Sequence, residues 1–349
     1  MKKWDIFCNV VDNYGDIGVS WRLARQLANE FGQKVRLWVD DLESFRRINP
    51  DAADRDYSKG VEVRHWGKSF PEVEPADIVI EAFGCRLPEN FVERMKEKKP
   101  VWINLEYLSA EDWVEDCHLL PSPRPPLVKY FFFPGFSKDT GGLILEKDLF
   151  ERRGNFRKKI FWENLGLDPG DRLCISLFCY ENPPIGNLFE AWEKGEREIL
   201  CLVPEGKIAS KTGSFSRGNL EVRIIPFVPQ EEYDPLLWAC DINFVRGEDS
   251  FVRGQWALKP FVWQIYPQED ETHFRKLNAF LDLYCRDLMV SDAVRAMWLA
   301  WNGKGDVALA WKAFLNAVPL LEAHGKHWAD RLSGNNLVKN LVDFSNRKS

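Results

Sequence analysis

Residues 4–31 read WDIFCNVVDNYGDIGVSWRLARQLANEF, and the pattern changes period once. WDIFCNVV (4–11) is an almost unbroken apolar run, the mark of a strand covered on both faces in a parallel sheet. Beyond it Leu23, Leu27 and Phe31 recur at i, i+4 and i+8, Ala24 and Ala28 flank them, and Gly32 stands where a helix would end. This predicts a buried strand, a tight turn and an amphipathic helix. The turn, DNYGDIG, is not the GxGxxG of a dinucleotide fold: where phosphate-binding turns carry glycine alone, it adds Asp12 and Asp16. Gly15 and Gly18 are read as freeing the backbone to fold tightly and aim both carboxylates.

The alternation continues outward. KVRLWVDD (34–41), ADIVIEAF (76–83), FVERMKEKKP (91–100) and VWINLEYL (101–108) extend a βα pattern through the first half. It breaks in HLLPSPRPPLVKYFFFPGFSKDTGGL (118–143), read as the end of a first domain, and in the basic stretch ERRGNFRKKIFWENLGL (151–167). From RLCISLFCY (172–180) it resumes through EILCLVPEG, LEVRIIPFV, INFVRGEDSFVRGQWAL and PFVWQIY. After 275 the chain reads as helical, with DRLSGNNLVKNLVDF (330–344) as a final amphipathic helix. The expected fold is α/β of GT-B type, two Rossmann-like domains facing each other across a cleft: 1–155 as acceptor domain, 156–325 as nucleotide-sugar donor domain, and 326–349 as a C-terminal helix packing back on the first domain or serving protein docking. Ligands are expected at the carboxyl ends of the strands.

At 349 residues the chain has length for two cores, and a mean hydropathy of -0.34 with 29% charged residues places it among ordinary globular proteins. Basic residues number 47 and acidic 53, a net charge of -6 without long blocks of one sign. That argues against a nucleic-acid or anionic-membrane surface and fits a cationic partner. Asp5 interrupts the N-terminal apolar run, and no stretch approaches the about 18 apolar residues that cross a bilayer, so a cytoplasmic location is expected. The eight cysteines show neither CxxC pairs nor zinc spacing and are expected as reduced core thiols, with no metal site.

Three groups of residues can carry chemistry. Asp12 and Asp16 lie at the end of the first strand; helix capping explains one aspartate there but not two. Asp40 and Asp41 imitate the ribose-binding acid of a dinucleotide fold, a weak signal without its glycines. In RGEDS (246–250), following a strand and opening a helix, Arg246, Ser250 and the helix N-terminus suit a diphosphate, while Glu248 suits sugar or ribose hydroxyls; a cap with a surface ion pair is the plainer reading. Phe178 and Tyr180 in LFCYEN, with Phe227 and Gln230 in IPFVPQ, end predicted strands, where rings can stack on a base and an amide can read its edge; singly each reads as core packing.

DNYGDIGVSWRLARQL, NLEYLSAEDW, FFFPGF with TGGL, RGEDSFVRGQWA and PFVWQIYPQED together resemble the bacterial protein-arginine rhamnosyltransferases that modify translation elongation factor P, the EarP family, in the same order from residue 9 to about 280. The resemblance implies an inverting transfer of L-rhamnose from dTDP-β-L-rhamnose to an arginine of elongation factor P, activating it for ribosomes stalled at polyproline. It implies Asp16 as general base, Asp12 beside it in acceptor binding or catalysis, and Glu248 near the chemistry. Phe178, Phe227 and Gln230 would hold thymine, and Tyr180, Arg246, Glu248, Asp249 and Ser250 would surround ribose and diphosphate. Asn13, Tyr14 and Gly15 are expected beside the donor. No cofactor is expected besides the donor substrate. Two alternatives stand: a GT-B enzyme with a hydroxyl acceptor, and a non-catalytic nucleotide-binding partner of a translation factor.

Overall fold

The computed structural model describes the chain except residues 13, 53–56, 68, 269 and 349. It divides into two compact units, 1–147 with 332–349, and 148–331.

The first unit is built on strands β1 (Lys3–Cys8), β2 (Lys34–Val39), β3 (Tyr57–Ser58), β4 (Val61–His65), β5 (Ile78–Ala82), β6 (Val101–Leu105), β7 (Pro121–Arg124) and β8 (Leu127–Phe132), in the order β3-β4-β2-β1-β5-β6-β8-β7. The six inner strands are parallel and the two edges antiparallel. From β1 the chain moves first toward β2 and β4, then returns to the other side with β5, so the strand order reverses between β1 and β5. That reversal opens a crevice at the carboxyl ends, the place where open α/β sheets bind ligands. β1 carries a fully buried carboxylate, Asp5, amid apolar neighbours. Its oxygens accept from Arg36 Nε (2.6 Å) and Nη2 (2.9 Å), Trp38 Nε1 (3.0 Å) and the Ala76 N–H (2.9 Å). Four donors fill the four lone-pair sites, which is what lets a charge sit there.

The tryptophan-rich composition is used as core. Phe7, Trp38, Trp66, Phe70, Phe91 and Met95 form one cluster on the first sheet, with Phe7 stacked on Trp38 and edge-on to Trp66. Each such pair adds about 0.5–1.5 kcal/mol beyond area burial. The proline-rich segment read as the end of the first domain supplies its last two strands, β7 and β8. Pro121 and Pro123 sit on the outermost strand, where missing N–H groups leave no ladder bond unmade.

The second unit holds β9 (Leu173–Leu177), β10 (Ile199–Pro204), β11 (Phe215–Arg217), β12 (Leu220–Ile225), β13 (Ile242–Arg246) and β14 (Phe261–Gln264), in the order β11-β12-β10-β9-β13-β14, parallel except for β11. Here the order reverses between β9 and β13. Trp192, Phe244, Trp301 and Trp311 pack on one another, and Phe280, Tyr284, Trp298 and Trp328 form a second group under the C-terminal helices.

The final helix is two. Val307–Leu332 carries DRL, and Leu337–Lys348 follows after a break. The break docks on the loop 137–145 of the first unit: Asn335, Asn336 and Asn340 donate through their amides to the carbonyls of Ser137, Leu145 and Gly141 at 2.6, 2.6 and 3.1 Å. Gly142, at φ +79°, lies so close to the Asn335 carbonyl that a Cβ there would stand 2.2 Å away. All eight cysteines are free thiols, and among the described residues no helix is long and apolar enough to cross a membrane.

Candidate active site

The acidic turn occupies the carboxyl end of β1, at the reversal of the first sheet. The helix Gly15–Asn29 begins directly after it, preceded by Tyr14, whose side chain makes no capping hydrogen bond. Asp16 does not cap this helix. It reaches back instead: its Oδ2 accepts from the N–H groups of Val11 and Asp12, both at 2.9 Å, so one carboxylate oxygen ties off the loop that leaves the strand. Asp12 closes the turn from the other side, its carbonyl accepting from the Gly15 N–H at 2.7 Å.

Gly15 and Gly18 both lie in helical backbone, so the expected role for them, access to backbone closed to other residues, does not hold. Gly15 is needed for its missing Cβ. A Cβ built on it would stand 2.6 Å from Asp12 Oδ2. Tyr14 is held by Arg47, whose Nη1 donates to its hydroxyl at 3.1 Å. Asn13 lies outside the described residues.

The electrostatics of Asp16 are set by burial, only 2% of its surface being exposed. Desolvation raises its carboxyl above the ordinary value, against the N–H groups of Asp12 and Val11 and the Tyr107 hydroxyl, which favour the charged form; nearby Asp40 adds to the rise. Asp40 arrives from the end of β2, where its Oδ1 accepts from the Val10 N–H at 2.8 Å. Its neighbour Asp41 is a helix cap, accepting from the N–H groups of Glu43 and Ser44 at 3.0 Å each. Asp12, Asp16 and Asp40 thus gather acid at the ends of β1 and β2, an environment for a cation or for a proton to be taken up.

Sequence reasoning missed Tyr107 and Phe83. Tyr107 stands two residues beyond β6, and its ring stacks on Phe83 at 4.5 Å between centroids and 19° between planes. Phe83 follows β5 directly with φ +56°, a conformation rare for a bulky residue. Both follow strand ends, the same positional rule that selected Asp12, but the strand pairing that brings the two rings together is not written in the local pattern.

The second group lies at the reversal of the second sheet. Phe178 follows β9 and Arg246 ends β13, paired strands: the Phe178 N–H donates to the Phe244 carbonyl at 3.0 Å. The Arg246 guanidinium consequently lies over two rings, 4.4 Å from the centroid of Phe178 and 4.6 Å from that of Tyr180. Such stacking holds the planar cation while leaving its N–H fork for an anion. Gly247, at φ +62°, turns the chain into the helix Asp249–Trp256, and its carbonyl accepts from Trp263 Nε1 at 2.8 Å. The Ser250 hydroxyl accepts from the Arg246 N–H at 3.0 Å and donates to the Arg246 carbonyl, so it is engaged in holding this turn.

The remaining predicted residues frame that turn. Gln230, buried at the start of the helix Gln230–Ala239, donates from Nε2 to Asp249 Oδ2 at 3.0 Å. Phe227, half-buried, precedes it in the loop after β12. Glu248 is paired with Lys276 at 3.2 Å. A fully buried ion pair, Arg253 Nε and Nη2 to the two oxygens of Asp234 at 2.7 Å each, clamps the helix Asp249–Trp256 to the helix Gln230–Ala239. Among the described residues no group of three or more His, Cys, Asp or Glu could hold a metal ion.

Comparison with known proteins bears on the chain as a whole. The profile of a family described as "Elongation-Factor P (EF-P) rhamnosyltransferase EarP" matches residues 4–346. The chain is 48% identical to the protein-arginine rhamnosyltransferase of Pseudomonas aeruginosa, 99% of each chain being covered. A solved structure described as "Structural basis for EarP-mediated arginine glycosylation of translation elongation factor EF-P" is similar over the whole of both chains, with 35% identity and a TM-score of 0.73. The MurG of Acinetobacter baumannii, at 9% identity and a TM-score of 0.53 over 99% of both chains, shares the fold alone. The fold is that of the GT-B glycosyltransferases.

Proposed function

The chain belongs to the EarP family of elongation factor P rhamnosyltransferases, and from that premise we propose that it transfers L-rhamnose from dTDP-β-L-rhamnose to an arginine side chain of translation elongation factor P, with inversion at the anomeric carbon. The modified factor would then act on ribosomes stalled at polyproline, in the cytoplasm. The unit 1–147 with 332–349 serves as the acceptor domain and the unit 148–331 as the donor domain.

The observation that carries this reading is the acid at the end of β1. An arginine acceptor is a planar cation, and the carboxylates of Asp12 and Asp16 offer it charge-assisted, directional hydrogen bonds. Guanidinium is a poor nucleophile, protonated up to a pKa above about 12, so attraction alone is not enough. Asp12 fixes the guanidinium in line with the anomeric carbon and Asp16 takes a proton as the C–N bond forms. Burial, by making Asp16 hold a proton more readily than a solvated carboxylate, suits it to that task. Positioning supplies much of the rate, effective molarities of oriented reactants reaching about 10⁵ M or more.

In the donor domain Phe178, Phe227 and Gln230 take thymine; Tyr180, Glu248, Asp249 and Ser250 surround ribose and diphosphate. Tyr14 and Gly15 are read as donor-side residues. Arg246, over Phe178 and Tyr180, stabilises the leaving diphosphate together with the N-terminus of the helix Asp249–Trp256. The test is the intact mass of elongation factor P after incubation with this protein and dTDP-β-L-rhamnose, with Asp16→Asn in parallel. A gain of one deoxyhexose on an arginine, lost in the variant, supports the reading. No gain with folded components sinks it.

A further inference from the structure

The last strand of the second sheet ends on a residue to which the reaction above gives no task. Gln264 closes β14, only 3% exposed, and stands opposite Arg246 in the parallel register of β13 and β14. Register partners project to the same face of a sheet, so its side chain leaves β14 on the face from which the Arg246 side chain leaves β13. From there it reaches past the end of β13, the strand lying between β14 and β9. Gln264 Oε1 accepts from the N–H of Tyr180, in the segment that follows β9, at 2.6 Å.

The contact falls where the ladder of β9 runs out. The Phe178 N–H still donates to the Phe244 carbonyl of β13 at 3.0 Å, but two residues later the N–H of Tyr180 is met by a side chain instead of a strand. A buried N–H requires a partner, and the partner it finds fixes where the Tyr180 backbone stands. The ring depends on that backbone. Its centroid lies 4.6 Å from the Arg246 guanidinium, and it meets Tyr266 edge-on at 5.6 Å and 84°.

Gln264 is itself held from both sides. Asn302, directly after the helix Ser291–Trp301, donates from Nδ2 to the Trp263 carbonyl at 2.8 Å and accepts at Oδ1 from the Ile265 N–H at 3.1 Å. One amide thus grips the residues before and after Gln264. Trp263 also donates from Nε1 to the carbonyl of Gly247, which follows Arg246. A binding constellation needs its members held to within about 0.5 Å by such supporting bonds.

We propose that Gln264 is a positioning residue for the nucleotide-sugar donor: its amide, gripped in turn by Asn302, sets the Tyr180 ring over which Arg246 presents its N–H fork to the diphosphate. This rests on the reading of Arg246 as the diphosphate ligand and specifies what keeps that guanidinium in place. Gln264 acts through Tyr180 and touches no atom of the donor. Gln264→Met keeps an unbranched apolar side chain in the buried position and removes the acceptor.

The experiment titrates dTDP calorimetrically into the full-length wild type, Gln264→Met, Tyr180→Ala and the double variant, and measures transfer from dTDP-β-L-rhamnose to elongation factor P in the same set. Gln264→Met is expected to bind dTDP about tenfold more weakly, the effect of one buried hydrogen bond. KM for the donor rises by the same factor, while KM for elongation factor P stays within about twofold. In the Tyr180→Ala background, where there is no ring to place, Gln264→Met is expected to add less than about twofold, because two residues acting through one contact are not additive. Should Gln264→Met fail to fold, Gln264→Asn, which withdraws the amide by one methylene, carries the same expectations. Unchanged dTDP affinity overturns the positioning role and leaves the transferase reading intact. A full tenfold loss in the Tyr180→Ala background overturns the route through Tyr180, and an equal rise in KM for both substrates shows general loss of structure and overturns it as well. A wild type that binds dTDP but transfers no rhamnose overturns the reaction and leaves the positioning standing; one that does not bind dTDP overturns both.

Discussion

The Asp12 carboxylate lies across the Cα of Gly15: a Cβ built on Gly15 would meet Asp12 Oδ2 at 2.6 Å and Cγ at 3.2 Å. The glycine is therefore a recess for the acid, inside the first turn of a helix.

Gly15→Ala separates the two roles a glycine there can have. The backbone is helical, so alanine is favoured locally by roughly 0.5–1 kcal/mol, and only the movable end of the Asp12 side chain must give way. Thermal unfolding is expected to stay at or slightly above wild type. Transfer is expected to fall by about 10²-fold, the consequence of displacing a reacting-site group by about 1 Å. A variant that keeps full activity removes Asp12 from the site.

Asp16→Asn exchanges charge for shape. The amide oxygen can still accept the Val11 and Asp12 N–H bonds, so the turn survives. The raised carboxyl of Asp16 means that the folded protein binds a proton more tightly here than the unfolded chain. Its charged form therefore destabilises the fold above the folded-state pKa, and this effect disappears below the unfolded value, where Asp16 is neutral in both states. Denaturant unfolding should find the variant as stable as wild type or more so at pH 7, the difference shrinking toward acid pH, with transfer down by about 10²–10⁴-fold. A variant less stable at neutral pH and no different in acid contradicts the assignment.

Arg246 tests the donor end. Arg246→Lys retains charge but not the planar fork that lies over Phe178 and Tyr180. Calorimetric titration with dTDP should show binding weakened by about 10- to 100-fold, as for loss of charge-assisted hydrogen bonds. The KM for elongation factor P should hardly change. Unaltered dTDP affinity would move the diphosphate site elsewhere.

Arg253→Met leaves Asp234 buried without its cation. Breaking such a pair from one side destabilises by about 3–5 kcal/mol. Because the pair joins the helix that carries Gln230 to the helix that follows Glu248, dTDP affinity should fall with stability in a denaturation series. Asp234→Leu in the Arg253→Met background should recover much of the loss, as an apolar pair of similar volume often does.

The local pattern carried much of the architecture. Unbroken apolar runs bounded by glycine, proline and acid marked β1, β2, β5, β6, β9, β10, β12, β13 and β14, because strands covered on both faces leave no polar alternation. The same pattern put Asp12 and Asp16, and the RGEDS turn, at strand ends. It did not show that Pro121–Arg124 forms an edge strand, and it misled where one helical period ran through the break before Leu337.

Period and position are written along the chain: which segments are strands and helices, and that acid follows the first strand while a basic-acidic turn follows a later one. Periodicity is a property of neighbours in the chain, so it is legible there. Only the tertiary structure decided which strand ends meet. The pairing of β5 with β6 stacks Tyr107 on Phe83; the pairing of β9 with β13 lays Arg246 over Phe178 and Tyr180; and Asn335, Asn336 and Asn340 find carbonyls nearly two hundred residues earlier. Parallel pairing joins segments through long crossovers whose order depends on how whole helices and sheet faces pack, and no single stretch of sequence contains that choice.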